Sequence, residues 1–421
     1  MSNSNKGTYT TGSGFFKLPN VSVGNRITIQ SLGYEQKAFE ITHTISDTIL
    51  IFLNPMPVQL AEVEKVGEIE VEEIIRRAIK KKKENLIKFK TLQANLYSKL
   101  SIEFQSFGFE ISGGGQNQEV NVIRARARKT SKKDTIAQEF VKNFILETYS
   151  NLYVDYENKV QFSEITHRRQ TANIPSALNT FVLKEFLNFY DETIRISNTE
   201  FVTPLSEKAL SYYRFELLGK EFYGDLYVYN IKVIPNTNLY PTFSGTIKIL
   251  EKSYNLLEVD LQPSEKYAVN FVENLRFVEK FTNLEDKYWQ PTYLETSGRL
   301  NATVLAGLFE VKTNFRGVSI ISEAIVNQPL PDSIITKSKQ KTISISPLAD
   351  SAKSEFWANN SLVERSQKEE EIYRKVDSAA KLIKFDSLFQ SLMQPESKFN
   401  WDISPSKETG YNRVLGYTLA A

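Results

Sequence analysis

The sequence predicts a mainly β protein with some α-helix (α+β), in which a large curved antiparallel sheet is the principal element. Short apolar runs separated by Gly, Asn, Pro or Ser follow one another through the middle of the chain. Apolar residues with helical spacing occur in only a few segments. The 421 residues are 41% hydrophobic and 24% charged, which excludes a disordered or fibrous chain and suffices for about two to four domains.

Residues 1–66 are predicted to form a small antiparallel β-sandwich. Short runs of β-forming residues, such as NRITIQSLGY and KAFEITHTI, alternate there with turn-forming glycines. Gly12, Gly14, Gly24 and Gly33 separate these runs.

Residues 67–88 are predicted to form a linker helix. One apolar stripe with the spacing i, i+3, i+4, i+7 and i+8 runs along it, formed by Val71, Ile74, Ile75, Ala78 and Ile79. Acidic residues precede basic ones, which suits the helix dipole. We expect Lys80–Lys83 to form a solvated final turn.

Residues 89–325 are predicted to form an antiparallel half-barrel with helices at Thr135–Asn151 and Leu178–Phe189. Nine short apolar runs between Tyr212 and Ile325 indicate a meander, because parallel pairing would need long crossovers. If the helices cover the sheet incompletely, one face lines an apolar cavity; if they cover it fully, the same residues are ordinary core. The candidate cavity residues are Phe215, Tyr227, Phe271, Leu275, Phe277 and Trp289.

Residues 326–421 are predicted to comprise a polar connector, a helix and a tail with no pattern of its own. Ser366 and Glu369 form a capping box at the start of the helix, which is expected to run to Lys384. We expect it to dock on the sheet through Ile372, Val376 and Ile383, since a helix of this length is marginal alone in water.

Composition excludes several kinds of chemistry. The chain has no cysteine, so thiolate catalysis, disulfides and Cys-ligated zinc are ruled out. Its two histidines, His43 and His167, do not lie in a metal-binding spacing, and no metal or cofactor is expected. Phosphate-loop and nucleophile-elbow motifs are also missing. A net charge of +2 is too balanced to carry affinity for nucleic acid by itself, and no nucleic-acid partner is expected.

One local charge pattern suggests a partner. In VIRARARKTSKK, the side chains of Arg124, Arg126 and Arg128 share a face if the segment is a strand. Such a row suits phosphate or an acidic glycan. The alternative is a solvated edge strand whose charges prevent sheet-to-sheet association.

Several segments resemble known families. TYTTGSGFFKLP, RITIQSLGYEQKAFEI and DTILIFLNPMPVQLAEV resemble the carboxypeptidase-like regulatory domain, a non-catalytic sandwich of the transthyretin type that begins many outer-membrane proteins of Bacteroidota. EIIRRAIKKKKEN, TPLSEKALSYYRFELLG, VNFVENLRFVEKF and EFWANNSLVERSQKEEEIYRKVDS look like a family of unknown function that places this module before an outer-membrane β-barrel. FSGTIKILEKSYNLLEVDL and KYWQPTYLET look like lipoprotein-sorting (Lol) half-barrels, in which a curved sheet wraps an acyl-binding cavity.

The resemblance implies the periplasmic part of a longer outer-membrane protein. YNRVLGYTL looks like the start of the barrel, which is missing from this chain, as are a signal peptide and the opening strand of the regulatory module. The sandwich is therefore expected to be incomplete. The implied role is non-enzymatic: binding of a lipid, a hydrophobic segment, a glycan or an envelope protein in transport or envelope assembly.

Two other hypotheses are compatible with the sequence. One is a hydrolase of envelope polymers that uses paired carboxylates, because sequence spacing across strands cannot place two acids relative to each other. Convergent acids in one cleft with a raised pKa would favour it. The other is a cytoplasmic binding protein, if Met1 is the true start.

Overall fold

The computed structural model describes three long stretches of the chain. They are residues 70–109, 143–171 and 187–380, apart from gaps at 159, 197–198, 224–225, 237–238, 266–271, 285–287, 305–308 and 364–366. Parts of 8–56 are described as well.

The strands are numbered in chain order. They are β1 (Arg26–Ile29), β2 (Lys37–Glu40), β3 (Thr91–Phe109), β4 (Asn143–Asp155), β5 (Val160–Gln170), β6 (Thr193–Ile196), β7 (Thr199–Val202), β8 (Tyr213–Tyr223), β9 (Leu226–Pro235), β10 (Phe243–Leu250), β11 (Leu256–Pro263), β12 (Val272–Leu284), β13 (Tyr288–Val304), β14 (Phe309–Val326) and β15 (Ile343–Ile345). The helices are α1 (Val71–Lys88), α2 (Ala209–Tyr212), α3 (Asp332–Ser338), α4 (Ser354–Asn360) and α5 (Gln367–Ala380).

One eleven-stranded sheet organises the described chain. Its order is β15-β5-β4-β3-β14-β13-β12-β11-β10-β9-β8, and every neighbouring pair is antiparallel except the parallel edge pair β15 and β5. The predicted meander is confirmed for β8 to β14. It has seven strands rather than nine, because β13 and β14 each continue through a glycine that was expected to break them. Gly298 lies within β13, paired with Phe315 of β14.

The predicted helix at Thr135–Asn151 is wrong over its described part. Residues 143–155 form β4, which pairs with β3 on one side and β5 on the other. Its residues from Phe144 to Thr148 are all buried, so both faces of the strand are covered. A strand buried on both faces lacks the alternation of apolar and polar residues that would reveal it in the sequence. Of the other predicted helix, 178–189, residues 187–189 are described and are not helical.

The linker helix predicted at 67–88 forms over Val71–Lys88 as α1 and is part of the main core, and residues 67–69 lie outside the described residues. Ile74, Ile75 and Ala78 are buried among side chains of β8 to β12 and of the segment 187–213. Lys82 lies one turn after Ala78 on the same stripe and is only 2% exposed. Its Nζ donates to Glu192 Oε1 at 2.5 Å. The expectation of a solvated final turn at Lys80–Lys83 is therefore wrong for Lys82.

The remaining elements flank the sheet. β1 and β2 form a two-stranded antiparallel sheet, with an isolated bridge between Tyr34 and Pro55. Residues 49–56, part of a further predicted run, are described but form no strand beyond the bridge at Pro55. Most of 1–20 and all of 57–66 lie outside the described residues, so the transthyretin-like topology stays a prediction. The predicted polar connector contains α3, the edge strand β15 and α4, which the sequence patterns did not reveal.

Candidate functional site

The candidate site lies on the face of the sheet against which α1 packs, called here the α1 face. Residues paired directly across neighbouring strands point to the same face. The pairs Glu279–Leu294, Leu294–Ser319, Ser319–Ser98 and Ser98–Thr148 therefore form one line across β12, β13, β14, β3 and β4. We call Glu279, Ser319, Ser98 and Thr148 the polar row. At about 4.8 Å per strand, the row is about 19 Å long.

The polar row is buried, and only its middle is hydrogen-bonded internally. Ser98 Oγ and Ser319 Oγ lie 3.0 Å apart, whereas Glu279 Oε1 and Thr148 Oγ1 have no hydrogen-bond partner. Glu279 is 0% exposed and Thr148 1%. Three more buried polar atoms of this face also have no partner, those of Ser150, Ser163 and Asn283. Buried polar groups are nearly always hydrogen-bonded, and each unmet one costs about 1–3 kcal/mol. These atoms are thus placed to bind polar groups that the described residues do not supply.

Apolar side chains border the polar row on both sides. Two residues further along β3 and β14 in one direction, the directly paired Leu96 and Ile321 belong to a buried cluster that also contains Leu152. In the other direction, Leu100 and Leu146 are directly paired and belong to a second cluster. This part of the α1 face therefore combines a line of hydrogen-bonding groups with apolar flanks, which is the chemistry that an amphiphilic molecule requires.

Glu279 has an unusual environment at the β12 end of the row. Its Oε2 accepts a hydrogen bond from the backbone N–H of Phe189 at 3.1 Å. Burial raises the pKa of Glu279 well above its ordinary value, and the nearby Asp191 carboxylate raises it further. Burial also raises the pKa of Asp191.

These two acids do not support the hydrolase alternative. Glu279 and Asp191 have raised pKa values, as such an enzyme would need. Glu279 nevertheless has no exposed surface, so a polymer has no access to it in this conformation.

The predicted cavity residues fall in different places. Phe215, Leu275 and Phe277 are buried together in the main core with α1, at 4%, 8% and 3% exposure. Trp289 packs against that core, whereas Tyr227 packs its ring against Phe222 with centroids 4.5 Å apart. Phe271 lies outside the described residues. On the half of the α1 face formed by β8 to β12, α1 and the segment 187–213 thus pack against the sheet.

The predicted anion-binding arginines, Arg124, Arg126 and Arg128, lie outside the described residues. A partner for them stays a prediction.

The opposite face of the sheet holds residues 354–363 and 367–374, called here the C-terminal segment. Trp357, Leu362 and Val363 are at most 3% exposed, and the latter two pack with Tyr97 and Tyr293 of the sheet. The ring of Phe356 stacks on His167 at a centroid distance of 4.2 Å. The C-terminal segment is therefore docked on the sheet.

Buried polar contacts reinforce this docking. Glu147, which is 0% exposed, accepts hydrogen bonds from Tyr97 Oη and Ser361 Oγ, each at 2.6 Å. Lys99 Nζ lies 2.8 Å from Glu369 Oε2 of α5. Burial and the Glu147 carboxylate raise the pKa of Tyr97. These contacts attach the start of α5 to β3 and β4.

The docking of α5 differs in detail from the expectation. Tyr373 is its buried anchor, 2% exposed, with the Arg169 guanidinium 3.8 Å from its ring centroid. Ile372 is half-buried. The side chain of Val376 and the whole of Ile383 lie outside what the structure describes.

The described residues offer neither a metal site nor a membrane-spanning helix. Within the described residues, no group of three or more His, Asp or Glu side chains is placed to hold a metal ion. Among the helices of the described chain, none is both long and apolar enough to cross a bilayer.

The fold and site define a mainly β protein built on one large antiparallel sheet, with a buried polar row on one face and a docked C-terminal segment on the other. The chain belongs to a family of unknown function, DUF5686, whose model matches residues 74–323. Comparison with curated proteins gives no match.

Several solved structures resemble the chain. A putative outer membrane lipoprotein-sorting protein domain from Vibrio parahaemolyticus is 13% identical, with 62% of this chain and 97% of that chain covered and a TM-score of 0.24. A DUF1329 family protein from Desulfovibrio piger is 10% identical, with 64% and 99% covered and a TM-score of 0.26. A LolA superfamily protein from Nitrosomonas europaea is 8% identical, with 63% and 97% covered and a TM-score of 0.22.

Sequence reasoning did not identify the polar row, although the sequence contains a signal for it. Along β3, alternate residues from Leu92 to Ile102 read Leu, Ala, Leu, Ser, Leu, Ile, so that Ser98 interrupts an apolar face. Along β4 the corresponding residues read Phe, Leu, Thr, Ser, Leu, so Thr148 and Ser150 do the same. Hydroxyl residues within an otherwise apolar alternation mark the place, but only strand pairing shows that they adjoin.

Proposed function

We propose that this chain is the non-enzymatic periplasmic region of an outer-membrane β-barrel protein, and that its sheet binds an amphiphile on the α1 face. The observation that carries the binding proposal is the polar row, with its unpartnered atoms on Glu279 and Thr148 and apolar clusters on either side. A lipid or a hydrophobic segment of a protein partner has this combination of groups. A glycan would leave the apolar flanks unused.

The buried state of the row determines how a ligand enters. Glu279 and Thr148 have almost no exposed surface, so a ligand reaches them only when segments packed on the α1 face move apart. We therefore expect binding to be slow compared with diffusion.

The proposed location has its own support and its own test. It is supported by the resemblance of the N-terminal, central and C-terminal segments to the periplasmic parts of outer-membrane proteins. Fractionation of cells that produce the protein from its native gene tests it: recovery with the outer membrane is expected, and recovery in the cytoplasm would refute the location.

Binding is tested by displacement of a fluorescent probe. N-phenyl-1-naphthylamine, an uncharged apolar fluorophore, is titrated into the folded chain and then displaced by 1-monolauroylglycerol. Saturable binding and displacement are expected. If a cooperatively folded chain shows no saturable binding, the amphiphile proposal is refuted.

A matched pair of variants locates the site. Thr148→Val replaces the unpartnered hydroxyl by a methyl group of similar size, whereas Thr246→Val makes the same change on the opposite face of β10. Thr148→Val should weaken 1-monolauroylglycerol about fivefold to tenfold through loss of one hydrogen bond. Thr246→Val should leave its affinity unchanged. Equal effects of the two variants would place binding elsewhere.

A further inference from the structure

Resting on the proposed function, we propose that the β12 end of the polar row selects an uncharged headgroup with a carbonyl acceptor, an ester or an amide, over a carboxylate or phosphate headgroup. The selecting residue is Glu279. Its two oxygens, its neighbours and the charges around it each support this choice.

The oxygens of Glu279 have different roles. Oε2 accepts from the Phe189 N–H at 3.1 Å, and Oε1 has no partner. Among the ion pairs of the described residues, none includes Glu279, although the side chain is fully buried. A buried carboxyl without a cation is stable in its protonated form. The proton on Oε1 then needs an acceptor, which a ligand carbonyl oxygen provides.

The surrounding charges disfavour an anionic headgroup. Asp191 is the acid whose proximity raises the pKa of Glu279. Lys82, whose charge acts on Asp191, has its Nζ bound to Glu192 Oε1 at 2.5 Å and a side chain that is 2% exposed. An incoming carboxylate or phosphate would therefore meet acids, with Lys82 already engaged. Its charge would be buried without a counter-ion, which is costly.

The side chains around Glu279 are apolar, so a hydrogen bond from its carboxyl is the main polar contact that a headgroup can make at the β12 end of the row. Phe277 and Phe281 precede and follow Glu279 on the same face of β12 and are 3% and 2% exposed. Leu294, its neighbour across β13, is also buried. In this apolar setting the protonated Glu279 carboxyl is a single hydrogen-bond donor. It favours an uncharged carbonyl, which can accept the bond, strongly over a carboxylate or phosphate, which must first lose its water as an ion.

The test compares ligands of equal chain length by displacement of N-phenyl-1-naphthylamine at pH 7.5. The ligands are 1-monolauroylglycerol, lauramide, laurate and dodecylamine. We expect the ester and the amide to bind at least about tenfold more tightly than laurate, the effect of one hydrogen bond or more.

Variants assign the preference to Glu279. Glu279→Leu should lower the affinity for the ester about tenfold and reduce the difference between ester and laurate. Glu279→Gln retains an N–H donor and should keep most of the preference. Glu216→Gln, on the exposed side of β8, should change nothing, since that side chain is 58% exposed. Cooperative urea unfolding of each variant verifies that it is folded.

The outcomes separate the two proposals. If the ester and laurate bind equally, or if Glu279→Leu keeps the full preference, the headgroup inference is refuted while amphiphile binding stands. Tightest binding of dodecylamine would also refute it, because the site would then select a cation. If no ligand displaces the probe from the folded wild-type chain, the proposed function itself fails.

Discussion

Replacement of Glu279 by glutamine should make the protein more stable at high pH and leave its stability almost unchanged at low pH. Glutamine has nearly the same shape, and its side-chain oxygen can still accept from the Phe189 N–H, which lies 3.1 Å from Glu279 Oε2. The change removes only the ability to ionise. It therefore isolates the energetic effect of burying a carboxyl group at this position.

The sign follows from the raised pKa of Glu279 in the folded state, caused mainly by burial. The unfolded chain loses this proton near its ordinary pKa of about 4.3, whereas the folded chain keeps it to higher pH. Between the two pKa values the folded state binds more protons, so the free energy of unfolding falls as pH rises. The loss is about 1.4 kcal/mol for each pH unit, until the folded carboxyl also ionises.

The assay is urea unfolding followed by tryptophan fluorescence, for the wild type and Glu279→Gln at each pH from 5 to 9. The difference in unfolding free energy between them should grow with pH in favour of the variant, by about 1.4 kcal/mol per unit at first. Asp191, whose pKa is also raised, contributes in the same direction to both proteins. Glu216→Gln, an exposed glutamate of β8, is the control and should follow the wild type. Parallel pH profiles for wild type and Glu279→Gln would refute a raised pKa at this residue.

Three further predictions concern the sheet and the docked C-terminal segment. Lys99→Ala should lower the free energy of unfolding by about 3–5 kcal/mol, because the buried Lys99 lies 2.8 Å from Glu369. Lys337→Ala removes an ion pair with Glu164 whose side chains are 47% and 29% exposed, and it should cost under about 1 kcal/mol. Equal losses in urea unfolding would contradict this difference. Gly245→Ala should lower the free energy of unfolding by about 3 kcal/mol, because Gly245 has φ +141° and an added Cβ would lie 2.2 Å from the Asp260 carbonyl oxygen. Gly317→Ala should be tolerated, because the nearest atom to an added Cβ there is 4.0 Å away. A similar melting temperature for both variants would show that β10 can adjust. Tyr373→Ala should speed proteolytic removal of α5 more than Ile372→Asp does, because Tyr373 is 2% exposed whereas Ile372 is half-buried. The reverse order of cleavage rates would show that Ile372 is the anchor.

Local patterns in the sequence predicted several elements correctly. The apolar stripe through Ile74, Ile75 and Ala78 predicted α1, and the capping box at Ser366 predicted the start of α5, which begins at Gln367. The closely spaced runs after Tyr212 predicted the antiparallel meander. These predictions succeeded because each depends on residues close together in the chain, where the helical and strand periods are read directly.

The errors arose where distant parts of the chain bury a segment. β4 was predicted as a helix because β3 and β5 on its two edges, with cover on both faces, remove the need for alternating polarity. Lys82 was expected in solvent, although Glu192, which is 110 residues away in the chain, offers it a partner within the fold. A very short strand such as β15 is equally hard to predict, because its three residues are too few to show the alternation of a strand.

The sequence by itself determined the mainly β character, the meander and the helices whose apolar stripes are complete. Only the tertiary structure decided that β3, β4 and β5 extend the meander into one sheet, and hence that Ser98 adjoins Ser319, 221 residues further along the chain. The period of two along a strand shows which residues share a face, but the register between strands decides which of them lie side by side. That register is set by packing across the whole sheet, so the row from Glu279 to Thr148 exists only once the sheet has formed.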